Sequence, residues 1–139
     1  MAGRVLAIDY GGKRTGLAVS DALGITAQPL PAIVSESLAV TVQGIIEIVV
    51  ERQVPVVLIG MPYLPDGREG AQVDRVRLFL SALREKLPEG TQIEEIDERH
   101  TTKEAEAMWR QAGYSKKKAK EFLDSTAAIV LLREYLHLN

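Results

Sequence analysis

The chain has no cysteine and only two histidines, His100 and His137, among its 139 residues. Without thiols there can be no disulfides, no cysteine nucleophile and no cysteine zinc site. The two imidazoles lie too far apart in sequence for a local histidine–metal motif. Any metal is therefore expected on carboxylates, the ligand set of Mg²⁺ or Mn²⁺. No apolar stretch reaches the roughly 18 residues of a membrane span. The N-terminus runs straight into a strand, without a charged segment and cleavable apolar region. A cytoplasmic protein with no membrane partner is expected. Neither charge sign is in marked excess: 17 Lys plus Arg stand against 19 Asp plus Glu, a net charge of −2. That balance argues against tight non-specific nucleic-acid binding, for which a strongly basic chain is usual. Repeats, low-complexity segments and linkers are also lacking. Residues 1–139 are expected to form one domain, long enough to bury a core without staples.

What is present is a series of short apolar runs separated by turn chemistry. Residues 4–10 read as a first strand, and Gly11-Gly12 supplies a hairpin into a second over residues 15–20. A third strand falls within 25–34, bent or at a sheet edge because it carries Pro29 and Pro31. Ser35 or Ser37 can cap a helix bearing Leu38, Val42, Ile45, Ile46 and Val49 at helical spacing. Val54 to Ile59 reads as a buried strand ending at Gly60-Met61-Pro62. The loop Tyr63 to Gly70 leads into a second helix with Val73, Val76, Phe79, Leu80, Leu83 and Leu87 inward, stopped by Pro88 and Gly90. Gln92 to Ile96 is a fifth strand. Thr101 and Glu104 have capping-box spacing and open a short helix ending before Gly113, and a last helix starts near Ser115. This order predicts an α/β fold: a five-stranded mixed sheet, its first three strands antiparallel and the remainder parallel, with helices on both faces. Ligands bind such sheets beyond the carboxyl ends of the parallel strands. Asp9, Gly60-Met61-Pro62 and Asp97-Glu98-Arg99 fall there.

Asp9 closes the apolar strand Val5-Leu6-Ala7-Ile8, where an unpaired carboxylate is costly unless a cleft, metal or cation meets it. Alternation lets one of Asp97 and Glu98 face Asp9 and turns the other away. Asp124 shares the apolar stripe of Ala127, Ala128 and Leu131 on the last helix. Crowded carboxylates repel, and one or two divalent cations would restore their ionisation. Such ions support phosphodiester cleavage without a cysteine, histidine or serine nucleophile. Each acid also has an ordinary role open to it. Asp9 can accept bonds from the Gly11-Gly12 turn, Asp124 suits a helix's first turn, and Asp97, Glu98 and Arg99 can form a surface ion-pair network.

Cations gather at Lys13-Arg14, Arg68, Arg75, Arg77, Arg99 and Lys116-Lys117-Lys118 with Lys120. Gly12-Lys13-Arg14-Thr15 lies between two strands, which excludes a P-loop. Lys13 and Arg14 are instead candidate phosphate contacts beside Asp9, or plain hairpin charges. Arg68, in the Asp66–Gly70 loop, is either part of a clamp on a nucleic-acid backbone or part of an ordinary surface loop. Trp109 fits helix packing better than base stacking. Lys116 to Lys120 precede Asp124 by one or two helical turns, a placement that suits phosphate binding.

The segments Ala7 to Asp21, Gly60-Met61-Pro62 with Asp66-Gly67, Asp97 to Thr102, and Asp124 to Ala128 occur in one order along the chain. In that order the sequence resembles the YqgF family, also called RuvX. The resemblance implies an RNase H-like fold and metal-dependent phosphodiester hydrolysis. It implies Asp9, Glu98 and Asp124 as the catalytic, metal-binding acids, resolving the Asp97/Glu98 choice toward Glu98. Members are described as resolvases of four-way junctions or as nucleases maturing the 5′ end of the 16S ribosomal RNA precursor. Tyr10 departs from the small residue usual after the first acid and is expected to line or narrow the site. The expected protein is thus a Mg²⁺- or Mn²⁺-dependent nuclease, monomeric or homodimeric, acting on rRNA precursor or branched DNA. The alternative is a nucleic-acid-binding or ribosome-assembly factor without significant turnover. An ATP-handling fold of the sugar-kinase type needs two such lobes, and this chain holds only one.

Overall fold

The computed structural model describes residues 3–99 and 127–137. The predicted helix over 101–112, the start of the last helix, Trp109, Asp124 and Lys116, Lys117, Lys118 and Lys120 lie outside the described residues. Five strands form one sheet in the order β3-β2-β1-β4-β5. They are β1 (Val5–Asp9), β2 (Arg14–Ser20), β3 (Ala27–Val34), β4 (Val56–Met61) and β5 (Gln92–Asp97). β1 pairs antiparallel with β2, and β2 with β3, while β1–β4 and β4–β5 are parallel. The mixed sheet read from the sequence is the one observed.

Local chemistry accounts for the borders. Gly11 permits the β1–β2 turn, because a Cβ there would collide with the Arg14 carbonyl oxygen. The Thr15 hydroxyl closes the turn by donating to the Gly11 carbonyl at 3.3 Å. Asp21 builds the next turn: its carboxylate accepts from the Ile25 and Thr26 amides at 2.7 and 3.2 Å. These bonds hold the Asp21 carboxyl below its usual range. β3, with Pro29 and Pro31, occupies the sheet edge, where missing N–H donors leave no central ladder bond unmade. Helix α1 (Leu38–Arg52) starts at Ser37, whose hydroxyl accepts from the Val40 amide. It ends at Gln53 in the left-handed conformation, φ 54°, where glycine is more usual. β4 begins two residues later than the apolar run because Val54 still bonds back to the Val49 carbonyl at the helix end.

Strand alternation divides the core into two layers. Leu6, Ile8, Val57, Ile59 and Met61 face α1 and helix α2 (Ala71–Lys86), packing on Ile45, Phe79 and Leu83. Val5, Ala7, Ala18 and Leu58 face the opposite way and meet Ala128, Leu131 and Leu132 of the helical segment 127–137. Each fully buried Leu, Ile or Phe contributes about 1.5–3 kcal/mol by leaving water. Both faces of the central strands are therefore fixed in register, and with them the direction of every residue at the strand ends.

Candidate active site

Asp9 ends β1 on the same side as Val5 and Ala7, toward the 127–137 segment. Glu98 follows β5 on the same side as Ile96, and its amide bonds the Met61 carbonyl at 3.2 Å, so the strand pattern continues one residue past Asp97. The two acids come from strands that are not neighbours, since β4 runs between them. Two strand spacings separate the backbones by about 9–10 Å, so the side chains must reach over β4 to meet. The β4 residue beneath them is Gly60, paired with Ile96 in the β4–β5 register. A Cβ on Gly60 would strike the Glu98 carboxylate and would lie 2.7 Å from Leu131 Cδ1. Glycine here is what lets the two carboxyl groups meet.

Their electrostatics follow from that meeting. Burial, then the charge of Asp9, a hydrogen bond with Asp9 and the charge of Asp97 push the Glu98 carboxyl up to about 9. Without a cation the Asp9–Glu98 pair therefore tends to hold a proton between its two carboxyl groups. The donor set suits a hard divalent cation, because a dication offsets the repulsion that keeps this proton bound. Among the described residues no third acid or histidine completes a metal-ligating group.

Asp97 turns away, as alternation requires, and binds Arg99 through three contacts. Its carboxylate accepts from the Arg99 amide at 3.0 Å and from Nε at 2.8 Å, and lies 2.7 Å from Nη2. Asp66 and Arg68 repeat this two-residue arrangement, with amide and Nε contacts of 3.0 and 2.6 Å. Arg99 also reaches the Pro65 carbonyl at 3.4 Å, tying the loop after β4 to the end of β5.

Between the acids, this loop and the start of α2 lies a cleft of about 620 Å³ at the carboxyl ends of β1, β4 and β5. Its walls include Asp9, Glu98, Tyr10, Arg75, Arg99 and Ala127. Lys13, Arg14 and Arg68 are exposed outside that lining; Lys13 stands 4.0 Å from Glu36. Sequence reasoning had no signal for the part played by Gly60, which appears only when β1, β4 and β5 are side by side. Arg75 was visible merely as one of several cations. Tyr10, expected to line the site, does so, and its ring stacks on Phe79 with centroids 4.3 Å apart and planes 12° off parallel.

A mixed five-stranded sheet of this order, with paired acids at its parallel strand ends, defines an RNase H-like fold of the resolvase type. Two solved structures share it: T. thermophilus RuvC bound to a Holliday junction substrate (TM-score 0.62, 15% identity, 99% of this chain and 96% of that one), and the Fowlpox virus resolvase bound to Holliday junction DNA (TM-score 0.63, 12% identity, 97% of each). The chain belongs to the RuvX family, described as Holliday junction resolvase, which it matches over residues 3–138. Among its relatives, a protein of Endomicrobium trichonymphae is 35% identical over 98% of this chain and 96% of its own length. One from Synechococcus is 39% identical over 94% of this chain and 87% of its own length. Both carry the name "putative pre-16S rRNA nuclease".

Proposed function

We propose that the protein is a divalent-metal-dependent nuclease that hydrolyses phosphodiester bonds in structured nucleic acid, with the 5′ region of the 16S rRNA precursor as its first candidate substrate and branched DNA as the second. The observation that carries this reading is the meeting of Asp9 and Glu98 over Gly60 inside a cleft at the strand ends. The RNA is placed first because relatives aligned over nearly the whole chain carry an rRNA-nuclease name, whereas the junction-bound structures share only the fold. Asp9 and Glu98 would hold Mg²⁺ or Mn²⁺, one or two ions, and Asp124 is proposed as the third acid. Asp124 precedes cleft-lining Ala127 by three residues in the chain. Once bound, the ion supplies charge stabilisation for in-line displacement at phosphorus. The chain's own contribution is to orient the two carboxylates, to keep them half-buried, and to give up the proton shared between them when a cation arrives. Lys13, Arg14, Arg68 and Arg99, with Lys116, Lys117, Lys118 and Lys120, are proposed to contact the nucleic-acid backbone outside the reacting group.

No helix among the described residues is long and apolar enough to cross a membrane, and a cytoplasmic site of action suits an rRNA precursor. We place the whole chain in one domain, as monomer or homodimer. The test is cleavage of labelled precursor RNA and of a labelled four-way junction with Mn²⁺ or Mg²⁺, and with EDTA. Cleavage that needs the metal supports the reading; binding without cleavage under every metal condition would favour an assembly factor.

A further inference from the structure

We infer that Arg75 forms a phosphate-holding subsite on the cleft wall facing the acids, gripping a backbone phosphate that flanks the reacting one. This rests on the nuclease reading above and adds a residue to it. Of the arginines around the cleft, most are neutralised by a carboxylate of this chain. Arg99 is bound by Asp97 and Arg68 by Asp66. Arg77, on the same helix as Arg75, is held by Glu69 at 2.8 Å and lies 3.8 Å from Glu95. Arg75 lines the cleft, is exposed, and makes no ion pair among the described residues.

Its position is fixed rather than incidental. Arg75 and Phe79 are four residues apart on α2 and so share one face. Phe79 is fully buried and stacks on Tyr10, the residue directly after Asp9. The stack therefore sets the rotation of α2 relative to the first acid and points the face bearing Arg75 at the cleft. Gln72, one turn earlier on that face, lines the cleft as well and offers an amide donor.

The acids face the 127–137 side of the sheet, whereas α2 packs on the other. Arg75 thus reaches the cleft across the sheet edge from the acids. That separation suits a neighbouring phosphate on the same strand. With no ion pair among the described residues, the Arg75 guanidinium can engage phosphate bidentately without first breaking one of them.

The full-length protein would be titrated against labelled precursor RNA and a labelled four-way DNA junction over a series of salt concentrations, and cleavage followed with Mn²⁺. Arg75→Gln should weaken binding roughly three- to ten-fold and lower the salt dependence by about one phosphate contact. It should raise KM while leaving kcat at saturation unchanged, because a contact made equally in ground and transition states does not alter the chemical step. Arg75→Lys should keep the salt slope, and Arg84→Gln, near the far end of α2, should behave as wild type. If the wild type binds and cleaves but Arg75→Gln shows the same affinity and slope, the subsite is refuted and the nuclease reading stands. A fall in kcat at saturation would also overturn it, by placing Arg75 on the reacting group. Wild-type protein that binds without cleaving, with a reduced slope for Arg75→Gln, would remove the nuclease reading and keep the phosphate contact. Absence of binding to either nucleic acid would remove both.

Discussion

Replacing Gly60 by alanine tests the geometry of the acid pair through a single methyl group. The new Cβ would sit 2.7 Å from Leu131 Cδ1, 3.0 Å from the Glu98 carboxyl carbon, and closer still to one Glu98 oxygen. Ordinary carbon contacts lie at about 3.5–4.0 Å, so neighbours must move by about 1 Å. Gly60 itself cannot yield, because β4 is hydrogen-bonded between β1 and β5. Leu131 is fully buried. The Glu98 side chain is left to move, away from Asp9. Overpacking of this kind costs about 1–3 kcal/mol, and a 1 Å misplacement of a reacting group costs about 10²-fold in rate. Gly12→Ala is the matched control for stability, since a Cβ there meets nothing within 4 Å. The assay is metal-dependent cleavage of labelled nucleic acid, with thermal unfolding of both variants alongside. Wild-type rates and an unchanged Tm for Gly60→Ala would refute the claim that this glycine is what lets the acids meet.

Further outcomes follow from the same structure. Folded Glu98 titrates near 9 against an ordinary 4.5, so the folded state binds its proton more tightly than the unfolded chain does. The resulting stabilisation is full below pH 4.5 and is lost as pH rises to about 9, on the order of a few kcal/mol in metal-free protein. Thermal unfolding in EDTA should show that decline, and Glu98→Gln should flatten it; parallel curves would contradict the shift. Ser37→Ala removes the hydroxyl that caps α1 and should cost about 1 kcal/mol in urea unfolding. Phe79→Ala deletes a fully buried ring and its stack on Tyr10. It should cost about 3–5 kcal/mol and leave any surviving folded protein weak in nucleic-acid binding.

The parts of this fold that local pattern controls were legible in the sequence. Apolar runs marked the strands, helical spacing marked α1 and α2, and the two prolines of β3 marked it as bent or at an edge, of which the edge is observed. Asp9 was legible as a strand-end acid with either Asp97 or Glu98 as its partner, and it was the family resemblance that pointed to Glu98. The meeting itself follows from alternation once the strand order is known. Gly60 was opaque, because its role is set by a side chain 38 residues away that passes over it from another strand. The Tyr10–Phe79 stack was opaque for the same reason. The Asp66–Arg68 and Asp97–Arg99 pairs were local enough to be read, since both join residues two apart. Charge alone did not show that both arginines are already ion-paired within the chain.

The central claim is that Asp9 and Glu98 form a metal-dependent hydrolytic pair, and Asp9→Asn tests it most directly. The substitution keeps the side-chain shape and removes the charge. Wild-type and variant proteins would be given labelled precursor rRNA and a labelled four-way junction with Mn²⁺, and both binding and cleavage followed. The account predicts that the wild type cuts one of the substrates, while Asp9→Asn binds it comparably and does not cut. Equal cleavage by the two proteins, or none by either, would contradict it.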